Sequence, residues 1–133
     1  MKNRPGRIDY LSWEALRKDF KELFPLILRS TKSLAHRNRL SILKKLLEGK
    51  QSFQSLKSAV DVKKTALANH LKQLLESDLI QKPKYGTYEI TLSGKRIVES
   101  LVVSHRKFEE EQKLKVQESR GLSPEFVKSF FGK

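Results

Sequence analysis

Between Ser52 and Thr91 the spacing of apolar residues changes character twice. Phe53, Leu56 and Val60 recur at steps of three and four, the period of a helix with one buried face. After the short break Asp61-Val62, Leu67, Leu71, Leu74 and Leu75 line a second helix that opens at Lys63 or Lys64. Leu79-Ile80-Gln81 and Tyr88-Glu89-Ile90-Thr91-Leu92 then read as two strands, joined through Lys82 to Thr87. The pattern predicts helix, turn, helix and hairpin. Ser52 stands where an N-cap belongs, and Gly86 supplies the positive φ of a tight hairpin turn.

Upstream, a helix starting at Asp9 or Ser12 carries Trp13, Leu16, Phe20 and Leu23 at steps of three, four and three. Pro25 lacks an N–H and is expected to stop or kink it. Leu26, Ile27, Leu34, Leu40, Ile42, Leu43, Leu46 and Leu47 follow as core material, with a helix break near His36 to Asn38 and an end at Gly49. Downstream, Ser93 is expected to cap a long helix with Ile97, Leu101, Val102 and Phe108 as its apolar seam. Past Phe108 the helix is charged, and the pairs Glu109 with Lys113 and Glu111 with Lys115 each stabilise it by about 0.2–0.5 kcal/mol. A helix that outruns its own domain calls for a partner, as does the Trp13 row. A second subunit would cover both, and packing on its own domain is the other reading of the Trp13 helix.

The termini are less regular. Lys2, Arg4 and Arg7 around Pro5-Gly6 form either a basic arm that lies along phosphates or enters a minor groove, or an end without a role. At the other end, Ser123 and Pro124 open a short amphipathic segment with Phe126, Val127, Phe130 and Phe131. Those residues are too apolar for a free tail and suit docking on a dimer or entry into a further domain; membrane contact is a weaker reading, since the segment is short and Lys128 and Lys133 make a thin basic face.

The polar side of the second helix carries the chemistry. Lys64, Thr65, Ala68, Asn69 and Lys72 occupy it, and no acid falls between Asp61 and Glu76. A solvated structural helix mixes Glu with Lys. This face instead offers small groups, an amide and cations, the residue types that enter a DNA groove: small side chains let the backbone approach, Asn pairs bidentately with adenine, and Lys reaches guanine edges or phosphates. Lys64, Thr65, Ala68 and Asn69 are therefore the expected base-reading residues. Lys63, His70, Lys72, Gln73 and the hairpin's Lys82, Lys84 and Tyr85 are the expected phosphate contacts.

Several stretches together resemble the ArsR-type winged helix-turn-helix transcriptional regulators. They are the run Leu34-Ala35-His36-Arg37-Asn38-Arg39-Leu40-Ser41-Ile42-Leu43, then Phe53 to Leu56, then Thr65 to Leu74 with Asn69-His70-Leu71-Lys72, and Gly86-Thr87-Tyr88. The resemblance spans about Leu34 to Leu101. It implies a mainly α fold with a small β-hairpin wing, a dimeric repressor or activator, double-stranded DNA as partner and a palindromic site. Arg39, at its motif position, is expected to be structural. Metal-sensing members of that family carry paired cysteines at the start of the first helix of the pair, where this chain has Ser52 to Ser55, so a thiolate sensor is excluded. His70 aligns with a family histidine, and a lone histidine there is a packing or phosphate-contacting group in preference to a ligand. His105 with Glu109 only echoes a second family metal site, and His36, His70 and His105 are spaced too widely in sequence for a paired metal motif. No metal or cofactor is expected.

Length and charge agree with this organisation. A chain of 133 residues accommodates one domain with extensions: a basic arm and dimerisation helix over 1–25, the winged helix over 26–92, and a dimerisation helix with a tail over 93–133. Trp13, Leu16, Phe20, Leu23, Leu101 and Phe108 are the expected dimer contacts. The net charge is +13, and residues 1–50 hold 13 basic against 5 acidic groups, so most of the excess precedes the reading helix. Such a balance attracts any polyanion and does not choose among them. There is no cysteine, no apolar leader, and no run approaching the roughly 18 apolar residues of a membrane span. A cytoplasmic protein without membrane contact is expected. No phosphate loop, activated nucleophile or carboxylate pair suggests an enzyme. The remaining alternatives are a winged helix used for protein interaction and a nonspecific chromatin-type protein that coats DNA. The signal that an effector would bring is not legible.

Overall fold

The computed structural model describes residues 12–120, so the basic arm around Arg4 and the segment around Phe126 lie outside the described residues. The chain divides into two compact units at Ile90–Thr91. In the first, helix α1 (Trp13–Leu34) is followed by α2 (Arg37–Leu46), strand β1 (Gln51–Ser52), α3 (Phe53–Val60), α4 (Lys64–Glu76), β2 (Ile80–Lys84) and β3 (Thr87–Ile90). The second holds α5 (Leu92–Arg120). The predicted helix, turn, helix and hairpin are all present.

Each boundary has a local cause. The Ser12 hydroxyl accepts from Ala15 N at 3.1 Å and starts α1. The helix then continues for 22 residues through Pro25, so the expected stop does not occur there: proline's φ suits a helix, and its cost is one missing hydrogen bond and one crowded carbonyl. It ends at Ala35, where the chain turns and His36 takes over as N-cap of α2, its Nδ1 accepting from Asn38 N at 3.1 Å. Gly49, with φ of +132°, closes the turn after α2. Ser52 accepts from Ser55 N at 3.0 Å and caps α3, and Asp61 leaves that helix in the left-handed region, which Asp tolerates better than most side chains. No side chain caps α4, whose N-cap position is Lys63.

Core residues come from the last turn of α1, from α2, α3 and α4, and from the hairpin. Ile42, Leu43 and Leu46 of α2, Leu56 of α3, and Leu67, Leu71 and Leu74 of α4 are essentially sealed, with Leu79, Ile80, Tyr88 and Ile90 closing the sheet side. Leu34 alone represents the apolar residues of α1. Four residues expected in the core are not: Leu26, Leu40 and Leu47 are each about half exposed, and Ile27 is half-buried. They fall on the outer sides of helices whose inner sides are already filled, and a run dense in leucine cannot bury all of them.

The sheet has order β1-β3-β2, all antiparallel. Its first strand is two residues long and pairs Gln51 with Tyr88 and Ser52 with Thr87. In the hairpin proper Ile80 faces Ile90 and Gln81 faces Glu89, while the register shifts before Lys84 meets Thr87. Pro83, which cannot donate, sits inside that irregular stretch. Gly86, with φ of +77°, makes the turn. In the second unit, α5 begins one residue before the expected cap: the Thr91 hydroxyl, not Ser93, accepts from Gly94 N at 3.0 Å, and Lys95 N bonds the Thr91 carbonyl at 2.9 Å. A capping side chain must precede the helix to reach its first free amides, and Ser93 is already inside the first turn.

Candidate nucleic-acid interface

α4 is amphipathic in the strict sense. Leu67, Leu71 and Leu74 anchor it in the core, and on its other side Lys63, Lys64, Thr65, Ala68, Asn69 and Lys72 are exposed together. The uncapped start leaves first-turn amides without a side-chain acceptor, at the positive end of the helix dipole. Gln73 is half-buried, on the flank that faces α1.

His70 departs from the expected set of phosphate contacts. It is only 7% exposed, and its Nδ1 accepts from Arg39 Nε at 3.2 Å. The Arg39 guanidinium also leans on the carbonyls of Lys32 and Ser33 through Nη1, at 3.5 and 3.4 Å, so it is a structural brace across α1, α2 and α4. Burial first, then the neighbouring His36 and Arg39 charges, hold the His70 imidazole below its ordinary pKa. A neutral His70 is what the Arg39 bond requires, since a protonated ring has no acceptor. Position on α4 favours the packing role over the phosphate contact: His70 lies on the same side as Leu67 and Leu74.

The fold also brings together two groups that are far apart in sequence. The His36 and His70 rings stand 4.4 Å apart between centroids. Among the described residues, no group of three or more His, Cys, Asp or Glu is placed to hold a metal ion. In α5, His105 Nδ1 donates to the Leu101 carbonyl at 2.8 Å, a local bond within its own helix.

The hairpin projects Lys82, Lys84 and Tyr85 into solvent, Tyr85 at 97% exposure. The Lys82 ammonium lies 5.7 Å from the Tyr85 ring and 5.4 Å from the Tyr88 ring, a cation–π arrangement that keeps its charge near the strand. Gln81 donates to Glu89 at 2.6 Å near the base of the hairpin, leaving the cations toward the tip.

The apolar rows expected at a dimer contact are exposed on both units. Trp13 is 82% and Phe20 51% exposed, with Leu16 and Leu23 beside them, and on α5 Leu101 and Phe108 are open to solvent. Among the described residues no helix is long and apolar enough to cross a membrane.

Helix, turn and helix with a three-stranded antiparallel wing define a winged helix-turn-helix fold. Residues 29–101 match the family described as a domain of unknown function (DUF7347), and the chain belongs to that family. Solved structures share the fold. HlyU from Vibrio cholerae N16961, in its reduced form, is 25% identical, with 63% of this chain and 93% of that one covered at a TM-score of 0.57. The transcriptional repressor BigR from Xylella fastidiosa is 23% identical over 65% and 93% of the two chains, at 0.58. The homodimeric winged helix-turn-helix DNA-binding domain of Mb0332 from Mycobacterium bovis is 21% identical over 75% and 91%, at 0.56. No curated protein matches the sequence.

Proposed function

We propose that the chain is a sequence-specific transcriptional regulator of the ArsR type that binds double-stranded DNA as a homodimer on a palindromic operator. The observation that carries this reading is the make-up of the exposed side of α4, where Lys64, Thr65, Ala68, Asn69 and Lys72 stand together on a helix whose other side is locked into the core. Thr65 and Ala68 let the backbone close on base edges, Asn69 offers adenine a donor and an acceptor, and Lys64 reaches guanine. Lys63, Lys72 and the open amides of the first turn take phosphate oxygens, with Gln73 at the edge of the contact. Lys82, Lys84 and Tyr85 carry the wing over the adjacent backbone or minor groove. The exposed rows from Trp13 to Leu23 and at Leu101 and Phe108 supply apolar surface for a second copy, which would set two reading helices about 34 Å apart. That BigR is a repressor and the Mb0332 domain a homodimer accords with this reading, although at their identity they speak for the fold alone. A cytoplasmic site of action goes with it.

The test is selection from a random duplex library at about 0.15 M salt, where phosphate attraction is screened and base readout must show itself. Enrichment of an inverted repeat supports both the specificity and the two-fold dimer. Recovery without a shared motif would point to nonspecific coating, and no recovery to a protein-interaction module. On the selected site Asn69→Ala is expected to cost about 1–3 kcal/mol and relax one base position. Unchanged discrimination against random DNA would remove Asn69 from the reading face.

A further inference from the structure

Beside α4, on the flank marked by Gln73, the first unit has an open groove of about 590 Å³ against the C-terminal half of α1. That volume lies within the roughly 300–1,000 Å³ of small-molecule sites. Pro25 and Leu28 give it an apolar wall, and Arg29, Lys32 and Arg39 supply three cations. Arg29 is engaged by Asp78 at 3.3 Å. Among the described residues neither Lys32 nor Arg39 has a carboxylate partner.

Arg39 is the informative member. Its Nε is fixed on His70 and its Nη1 on two backbone carbonyls, so the guanidinium is held in place before any ligand arrives, while its Nη2 has no acceptor among the described residues. An immobilised guanidinium with a spare donor, an unpaired ammonium nearby and an apolar wall are the parts of a carboxylate site: the charged end is taken by hydrogen bonds whose entropy cost is already met, and the body lies on Pro25 and Leu28. Glu76 also lines the groove and disfavours a polyanion laid along it. We propose that this groove binds a small organic carboxylate. Through Arg39 and His70 such a ligand would touch the brace that holds α4, giving the reading helix a chemical input.

The test is a titration of the full ¹⁵N-labelled chain with benzoate, with benzyl alcohol as the uncharged counterpart, followed by amide chemical shifts. Saturable shifts are expected around Leu28 to Ser33 and Gln73 to Ser77. Lys32→Gln should weaken benzoate about tenfold, as should loss of the carboxylate charge, whereas Lys84→Gln should not. The proposal is overturned by an absence of saturation up to about 10 mM, by shifts confined to the wing or the exposed side of α4, or by equal binding to Lys32→Gln. A random-sequence duplex that shifts the same groove amides and is not displaced by benzoate would also overturn it, by making the groove a DNA-backbone contact. Because the titration contains no DNA, its failure leaves the regulator reading standing, and a failed duplex selection leaves the groove standing.

Discussion

α1 and α4 carry apolar rows of similar spacing, and the protein covers only one of them. Leu67, Leu71 and Leu74 of α4 are each at most 2% exposed, while Trp13, Leu16, Phe20 and Leu23 of α1 remain open, and α1 reaches the core only in its last turn through Ser33 and Leu34. Periodicity defines a face, but what fills that face depends on how many elements surround it. α4 lies against α2 and the root of the hairpin, which leaves its polar side as the one available surface. α1 leaves its aromatic row uncovered by its own unit, and in the proposed dimer a second copy covers it.

Substitutions in the two rows should therefore behave differently. The largest effect is expected for Leu74→Ala, which removes buried atoms the surroundings cannot replace: a loss of about 2–5 kcal/mol in urea unfolding at low protein concentration. Phe20→Ala in the same experiment should change stability by less than about 0.5 kcal/mol, and an equal loss would erase the contrast. Its cost should appear in sedimentation equilibrium, as self-association weakened by about 2 kcal/mol, the size of an aromatic anchor at an interface. Unchanged association would leave the α1 row without a partner copy.

The one polar residue buried on α4 in contact with α2 sharpens the comparison further. The His70 pKa is lowered in the folded protein from 6.5. Above that value the ring is neutral folded or unfolded, and its contribution does not depend on pH. Below it the unfolded chain takes up a proton first, so stability should fall as the solution is acidified, until the folded ring titrates as well. Urea midpoints from about pH 8 to about pH 5 should show this decline, and His70→Gln, which keeps an acceptor for Arg39 without titrating, should flatten it. The smallest effect belongs to the wing. Lys84→Ala is expected to weaken specific and random duplexes alike by a few-fold and lower the salt slope by about 1, measured by fluorescence anisotropy across a salt series. A loss confined to one sequence would move Lys84 among the base readers.

Residues that act through neighbours in sequence were legible, and those that act across the fold were not. Leu67 to Leu74 placed α4, Ser52 placed the start of α3, and the outward set Lys64 to Lys72 emerges on one surface as its spacing implied. Pro25 does not stop α1, because a proline's local cost does not reveal that helical sequence on both sides can absorb it. β1 was invisible: two residues carry no alternation, and only their pairing with Tyr88 and Thr87 makes them a strand. Packing and phosphate contact stayed open for His70 because its tie to Arg39 spans 31 positions. Nothing in the sequence singles out the groove residues Arg29 and Lys32, for the same reason: the wall opposite them comes from α4.

Ser52 closes the sheet and opens a helix at once. Its backbone pairs with Thr87 as the end of β1, and its hydroxyl holds the first turn of α3. The turn end of the hairpin is thereby stitched to the first helix of the pair, one residue from where that helix begins. Wing and helix pair cannot be set at independent angles; they form a caliper whose opening is preset. A duplex meeting this surface would have to adapt its groove width to the jaws, so sequences that bend easily would be gripped at less expense than stiff ones.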